Sequence, residues 1–252
     1  EVYSNGDDDF SDHGIYFFAY NGNEFLVYNN HVYDNAANGI KFGFDSDGGS
    51  IFYNISHGNF RAGFYVDKGA TLTNMYNNVS YNNGDSGEVV GAGLALFSDN
   101  NSDVTITNCK NNIIYGNARW GVQLIDWGGG GTVGITNFTN NVVGDSAWGN
   151  YDGLAGDDTI NGSTDDPTGS NGVISSDPLF LDAASSDFTL QATSPCIDTG
   201  VDVGLTQDYA GNVVKFGIGW DIGALEFQEY LSTGAGNRAI KMLLLGILDD
   251  DE

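Results

Sequence analysis

A glycine followed by alternating apolar residues recurs along this chain, and that recurrence decides what the chain can fold into. It reads Gly14-Ile15-Tyr16-Phe17-Phe18, then Gly39-Ile40-Lys41-Phe42-Gly43-Phe44, Gly63-Phe64-Tyr65-Val66, Gly93-Leu94-Ala95-Leu96-Phe97 and Gly121-Val122-Gln123-Leu124-Ile125. The steps between copies are 25, 24, 30 and 28 residues. A second track runs in phase with the first, setting an Asn five residues before another: Asn30 and Asn35, Asn54 and Asn59, Asn78 and Asn83, Asn112 and Asn117, with Asn141 before Ser146. Self-similarity at this period marks a repeat architecture, in which each unit buries its apolar face only against its neighbours.

Each unit holds two or three short segments with period-two alternation, punctuated by Asn, Gly and Asp, and none holds a helical pattern. The expected fold is all-β: a parallel β-helix whose coils stack ~4.8 Å apart, the ordinary inter-strand distance. Ile15, Phe17, Ile40, Phe42, Phe64, Val66, Leu94, Leu96, Val122 and Leu124 should point inward. Asn30, Asn54, Asn78, Asn112 and Asn141 should sit at bends, because Asn tolerates left-handed backbone and stacked amides bond from coil to coil. His31 and His57 fall in equivalent turns and read as solvated turn residues rather than as a metal pair.

On these motifs residues 1–146 resemble the right-handed parallel β-helix superfamily of pectate-lyase-like proteins. Ser176-Asp177-Pro178-Leu179-Phe180, Asp187-Phe188-Thr189-Leu190, Ser194-Pro195-Cys196-Ile197-Asp198-Thr199-Gly200 and Asp221-Ile222-Gly223-Ala224-Leu225-Glu226 extend the likeness. With Asp208 and Gly211 they resemble the C-terminal segment of bacterial secreted β-helix proteins, including those of the choice-of-anchor type. The resemblance implies an extracellular, cell-surface or virion-surface protein, and it leaves activity open because such folds host lyases, hydrolases, epimerases and rods. Read from its residues, the same stretch makes a cap: Phe180, Phe188, Leu190, Ile197, Ile222 and Leu225 are placed to plug the open end of the last coil. The organisation is then coils over 1–146, a long Asp- and Gly-rich loop over 147–175, a C-terminal coil or cap over 176–227, and a tail over 228–252.

Eight Lys and Arg stand against 34 Asp and Glu, a net charge of −26. That surface repels phosphates and excludes nucleic acid as a partner. The apolar run Met242–Leu248 is too short to cross a bilayer, so no transmembrane segment is expected. Cys109 and Cys196 read as two separate buried thiols. Val2-Tyr3-Ser4-Asn5 matches the second half of the repeat motif, so the chain is expected to be a processed or truncated piece of a longer one.

In such folds chemistry sits on one outward strand face. The positions two after each glycine put Tyr16, Lys41, Tyr65, Ala95 and Gln123 on neighbouring coils in register. Aromatic faces stack on sugar rings, and a lysine neutralises a uronate or takes up a proton. On a lyase reading, Ca²⁺ held by Asp45 and Asp67 acidifies a uronate, Lys41 or Lys68 removes the proton, and Tyr65 protonates the leaving oxygen. Tyr16, Gln123 and Trp127 would bind the polymer, an acidic polysaccharide. Gly153-Leu154-Ala155-Gly156-Asp157-Asp158-Thr159-Ile160-Asn161 resembles a calcium-binding nonapeptide of the repeats-in-toxin type, making Asp157 and Asp158 further ligand candidates. The hydrolase alternative lacks the family's Asn-Thr-Asp and Arg-Ile-Lys elements. A non-catalytic surface rod, adhesin or tail-spike-like appendage fits the composition equally. Residues 238–252, an apolar run ending in four acids, are expected to dock back or to mediate self-association.

Overall fold

The structure is a computed structural model that describes residues 1–6, 11–18, 25–44, 46–85, 87, 90–99, 102–128 and 130–228. Three six-stranded parallel sheets wrap one elongated core. The first sheet stacks Val2–Tyr3, His31–Tyr33, Ile55–His57, Val79–Tyr81, Ile113–Tyr115 and Val142–Gly144. The second stacks Ile15–Phe18, Ile40–Gly43, Phe64–Asp67, Ala92–Ser98, Trp120–Asp126 and Gly149–Asp152. The third stacks Leu26–Tyr28, Ser50–Phe52, Thr71–Tyr76, Val104–Lys110, Val133–Thr139 and Thr159–Ile160. Every strand pairs with its counterpart one coil away, so the chain is a parallel β-solenoid, as the repeat requires. Apart from a 3₁₀ turn at Ala183–Ser185, the described residues hold no helix.

The inward positions are those read from the alternation. Ile40, Phe42, Phe64, Val66, Leu94, Leu96, Val122 and Leu124 are buried in one cluster, against which Ile15 and Phe17 pack. Buried amides close the corners of the first sheet. Asn54 Oδ1 accepts from the backbone N and Nδ2 of Asn30, Asn78 serves Asn54, Asn112 serves Asn78, and Asn141 serves Asn112. A second ladder runs through Asn35, Asn59, Asn83 and Asn117 in the same manner. The left-handed backbone falls one residue earlier than the repeat suggests: Asn29, Asn77, Asn111 and Asn140 have φ between 50° and 56°. The doubled Asn thus divides its labour, the first turning the chain and the second bonding inward to the next coil.

Two stretches depart from the reading of the sequence. Within 147–175, which reads as a loop, Gly149–Asp152 and Thr159–Ile160 add strands to the second and third sheets, and Ile174 bridges to Val142. The periodicity there is hidden because only Tyr151, Leu154, Ile160 and Val173 supply core side chains.

The segment 176–227 does not plug the end of the solenoid. It lies along the outer flank of the first sheet, whose outward row Ile55, Val79, Ile113 and Val142 joins Phe188, Leu190, Cys196, Ile222 and Ala224 in a second core. The corner asparagines tie it down: Asn77 Nδ2 donates to the carbonyls of Asp221 and Gly223, Asn111 Nδ2 to Val201, and Asn140 Nδ2 to Thr199. An apolar outward row needs cover, and the chain supplies its own.

Cys109 and Cys196 are free and buried, one in each core, as expected. The two turn histidines are half-buried: His31 Nε2 and His57 Nε2 lie 2.8 Å apart beneath Phe188. No helix among the described residues is long and apolar enough to cross a membrane. Asp45 and the tail segment 238–252 lie outside the described residues.

Candidate carbohydrate-binding face

The second sheet leaves its outward face to side chains of another kind. Tyr16, Lys41, Tyr65, Ala95, Gln123 and Asp152 form one row across six coils, in the register that the repeat dictates. Lys41 Nζ sits 4.9 Å from the ring centroid of Tyr16 and 5.2 Å from that of Tyr65, and 3.1 Å from Asp67 Oδ2. Gly43 makes this possible, since a Cβ at that position would collide with the Asp67 carboxylate. Cation–π contacts and a charge-assisted bond hold the lysine from three sides.

The row divides by exposure. Tyr65 is 7% exposed, and burial, followed by the charge of Asp67, pushes its phenol well above the usual range. Gln123 is buried, and its Nε2 donates to Asp152 Oδ2 at 3.0 Å. Asp67 is buried too. Burial raises its carboxyl while the positive charge of Lys41 opposes the rise. These groups form the floor of the face, under the aromatic side chains that reach solvent.

Those aromatics follow the edge of the second sheet nearest the third. Tyr16, Phe18, Phe44 and Trp127 are all exposed, Trp127 at 67%. Phe18 packs on Phe44 at 4.6 Å, Lys68 Nζ lies 4.6 Å over Phe44 and 3.3 Å from Asp99, and Trp127 stands edge-on to Phe97 at 5.0 Å. From the coil of Phe18 to that of Trp127 there are four stacking steps, ~19 Å along the axis. The period-two alternation put Tyr16 and Lys41 on the outward row. The edge track of Phe18, Phe44 and Trp127 follows from the same register carried two to four residues further, beyond the regular alternation.

Of the carboxylates named as cation ligands, Asp67, Asp157 and Asp158 lie within the described residues. Asp67 is committed to Lys41. Asp158 Oδ1 accepts from the Val133 backbone at 3.0 Å, much as Asp103 Oδ1 accepts from Thr132, so both close the turn into the third sheet. Asp157 is exposed. Among the described residues no three His, Cys, Asp or Glu side chains come together as a metal-binding group.

A family model described as a right-handed beta helix region matches residues 3–143. Neither the search of curated proteins nor that of solved structures returns a match.

Proposed function

The chain belongs to the right-handed β-helix family, and from that premise we propose that it is an extracellular carbohydrate-binding rod, holding a polysaccharide along the open flank of its second sheet without cleaving it. The fold is one that carbohydrate-active proteins and surface rods share, and it leaves the choice to the site. The observation that carries the choice is the set of exposed rings along one edge of the second sheet, Tyr16 and Phe18 on its first coil, Phe44 on the next and Trp127 three coils beyond. Sugar rings present apolar faces that stack on aromatics, and a rigid scaffold spares the cost of ordering the site.

Binding is favoured over β-elimination because the groups a lyase would use are already spoken for. Lys41 and Lys68 are ion-paired to Asp67 and Asp99, and the Tyr65 phenol is buried. Paired lysines also add little net attraction for a polyanion, and the surface as a whole is strongly negative. The polymer that fits is therefore uncharged or weakly charged rather than a polyuronate.

Affinity electrophoresis through gels containing neutral or uronate polysaccharides tests this, alongside ultraviolet absorbance of the same mixtures. The expected result is retardation by a neutral polymer, abolished in the double variant Phe18→Ala and Trp127→Ala, with no unsaturated product. Growth of unsaturated product from a uronate polymer would replace the binding role with a lyase.

A further inference from the structure

On the clad flank, two imidazoles meet under a hairpin. The strands Phe180–Asp182 and Asp187–Leu190 pair antiparallel around the 3₁₀ turn, and Phe188, 2% exposed, is the hairpin's anchor. Its ring lies 5.1 Å from that of His57, 6.4 Å from His31, 5.6 Å from Tyr81 and 5.2 Å from Phe180. Tyr33 stacks on His57 from below, with an interplanar angle of 2°. The 2.8 Å contact between the two Nε2 atoms requires one ring to donate and the other to accept.

We propose that this imidazole pair is an acid-sensitive latch: protonation of both rings breaks their shared hydrogen bond and releases the hairpin 180–190 from the first sheet. A first proton adds to the free Nδ1 of the donor ring and leaves the bond in place, now charge-assisted. A second must add to the accepting Nε2. Both facing nitrogens then carry hydrogen and both rings carry charge, 2.8 Å apart under a phenylalanine.

The surroundings give the charges little compensation. His31 is acted on by the Glu1 carboxylate and the α-amino group, in opposite directions, and His57 by His31 alone. Asp34 borders the cavity of about 400 Å³ beside His57, where the hairpin presents only Ala183, Ala184 and Ser186. Tyr33 and Tyr81 also pack around the pair, Tyr33 on His57 and Tyr81 on Phe188. Burial, then the neighbouring His31, lowers His57 from 6.5 to about 4. A group held down in the closed state and free in the open one favours closure above its open-state value and loses that contribution as pH falls toward the closed-state value. For His57 this predicts an opening constant about 20-fold larger at pH 5 than at pH 7. Opening uncovers His57, Tyr81 and part of the Ile55 and Val79 row.

Hydrogen exchange of the full chain at pH 7 and pH 5, corrected for intrinsic rates, reads this directly. Amides of 180–190 should lose protection about 20-fold at pH 5 while those of Val104–Lys110 and Val133–Thr139 keep theirs. His57→Phe preserves a ring for Tyr33 and Phe188 but takes no proton, and should keep the hairpin closed at both values. His57→Asn, uncharged and smaller, should lower protection equally at both. Equal protection of the wild-type hairpin at pH 5 and pH 7 would overturn the latch, as would a wild-type acid response persisting in either variant.

Discussion

The first and second sheets are built from the same strand-by-strand stacking, yet residues 176–227 clad the outer flank of the first, while among the described residues the second keeps a run of rings exposed along its edge. On the first sheet the outward row is Ile55, Val79, Ile113 and Val142, continuous apolar surface that water would not tolerate, and residues 176–227 cover it. On the second, the middle of the row is buried, Tyr65 and Ala95 packing with Val90 and Phe97, while Tyr16 and the edge rings Phe18, Phe44 and Trp127 remain exposed among the described residues. The difference teaches where to look for a ligand. A solenoid spends apolar outward rows on its own cladding and leaves mixed aromatic rows for something else.

The manner in which polar groups are satisfied divides along the same line. The coils use neutral amides, each Asn bonding the next coil. The cladding uses carboxylates aimed at backbone N–H groups: Asp208 Oδ2 accepts from Glu226, Glu226 Oε1 from Phe216, and Asp221 Oδ1 and Oδ2 from Asp198 and Phe227. Neutral ladders are indifferent to pH, whereas carboxylates and imidazoles are not. Sensitivity to pH should therefore concentrate in the cladding.

The largest effect is expected in the ladder common to both flanks. Asn112→Ala removes an acceptor from Asn78 and donors to Met75, Lys110 and Asn141, leaving buried groups unpaired at a cost of roughly 3–5 kcal/mol. Urea melts followed by circular dichroism would measure it. A loss below 1 kcal/mol would mean that the ladder is ornamental. Next comes Phe188→Ala, about 3 kcal/mol from a buried ring and the cavity it leaves, expected to be read out in the exchange of 180–190 before the coils respond. Simultaneous loss of protection in both would merge the two regions into one cooperative unit.

Much of this was legible in the sequence. Ile40, Phe42, Leu94 and Leu96 fell inward because strict alternation after a glycine admits one arrangement, and Lys41 fell between Tyr16 and Tyr65 because the copies stay in register. The cladding's placement was not legible. Phe188 and Ile222 announce a buried surface without saying which one, since the end and the flank of a solenoid both want apolar cover. That His31 and His57 can approach was legible from their equivalent turns on neighbouring coils, but their two-residue offset was not: His31 pairs with Ile55, and His57 with Tyr33. Gly149–Asp152 escaped because only Tyr151 marks its inward side.

A smaller effect should appear between mild acid and neutrality. Burial, then the charge of Asp221, raises Glu226 from 4.5 to about 7. The folded cladding thus prefers the protonated form. Its stability is full below the unfolded value, declines as pH rises through about 7, and is flat above that. Glu226→Gln should remove that decline, and an unchanged slope in the variant would assign it to another group. Smallest of all is the response to chelation. Asp67 and Asp158 are committed to Lys41 and to the Val133 backbone, so a chelator at constant ionic strength is expected to leave the melting temperature where it was. A fall of several degrees would reveal a native-state cation site.

The contrast between the clad flank and the exposed edge is tested most directly by hydroxyl-radical footprinting of the protein saturated with the polysaccharide that retards it most. The account predicts protection of Tyr16, Phe18, Phe44 and Trp127, with Tyr28 and Trp148, equally exposed elsewhere on the surface, reacting as in the free protein. Protection of Tyr28 or Trp148 with Trp127 left reactive would contradict it.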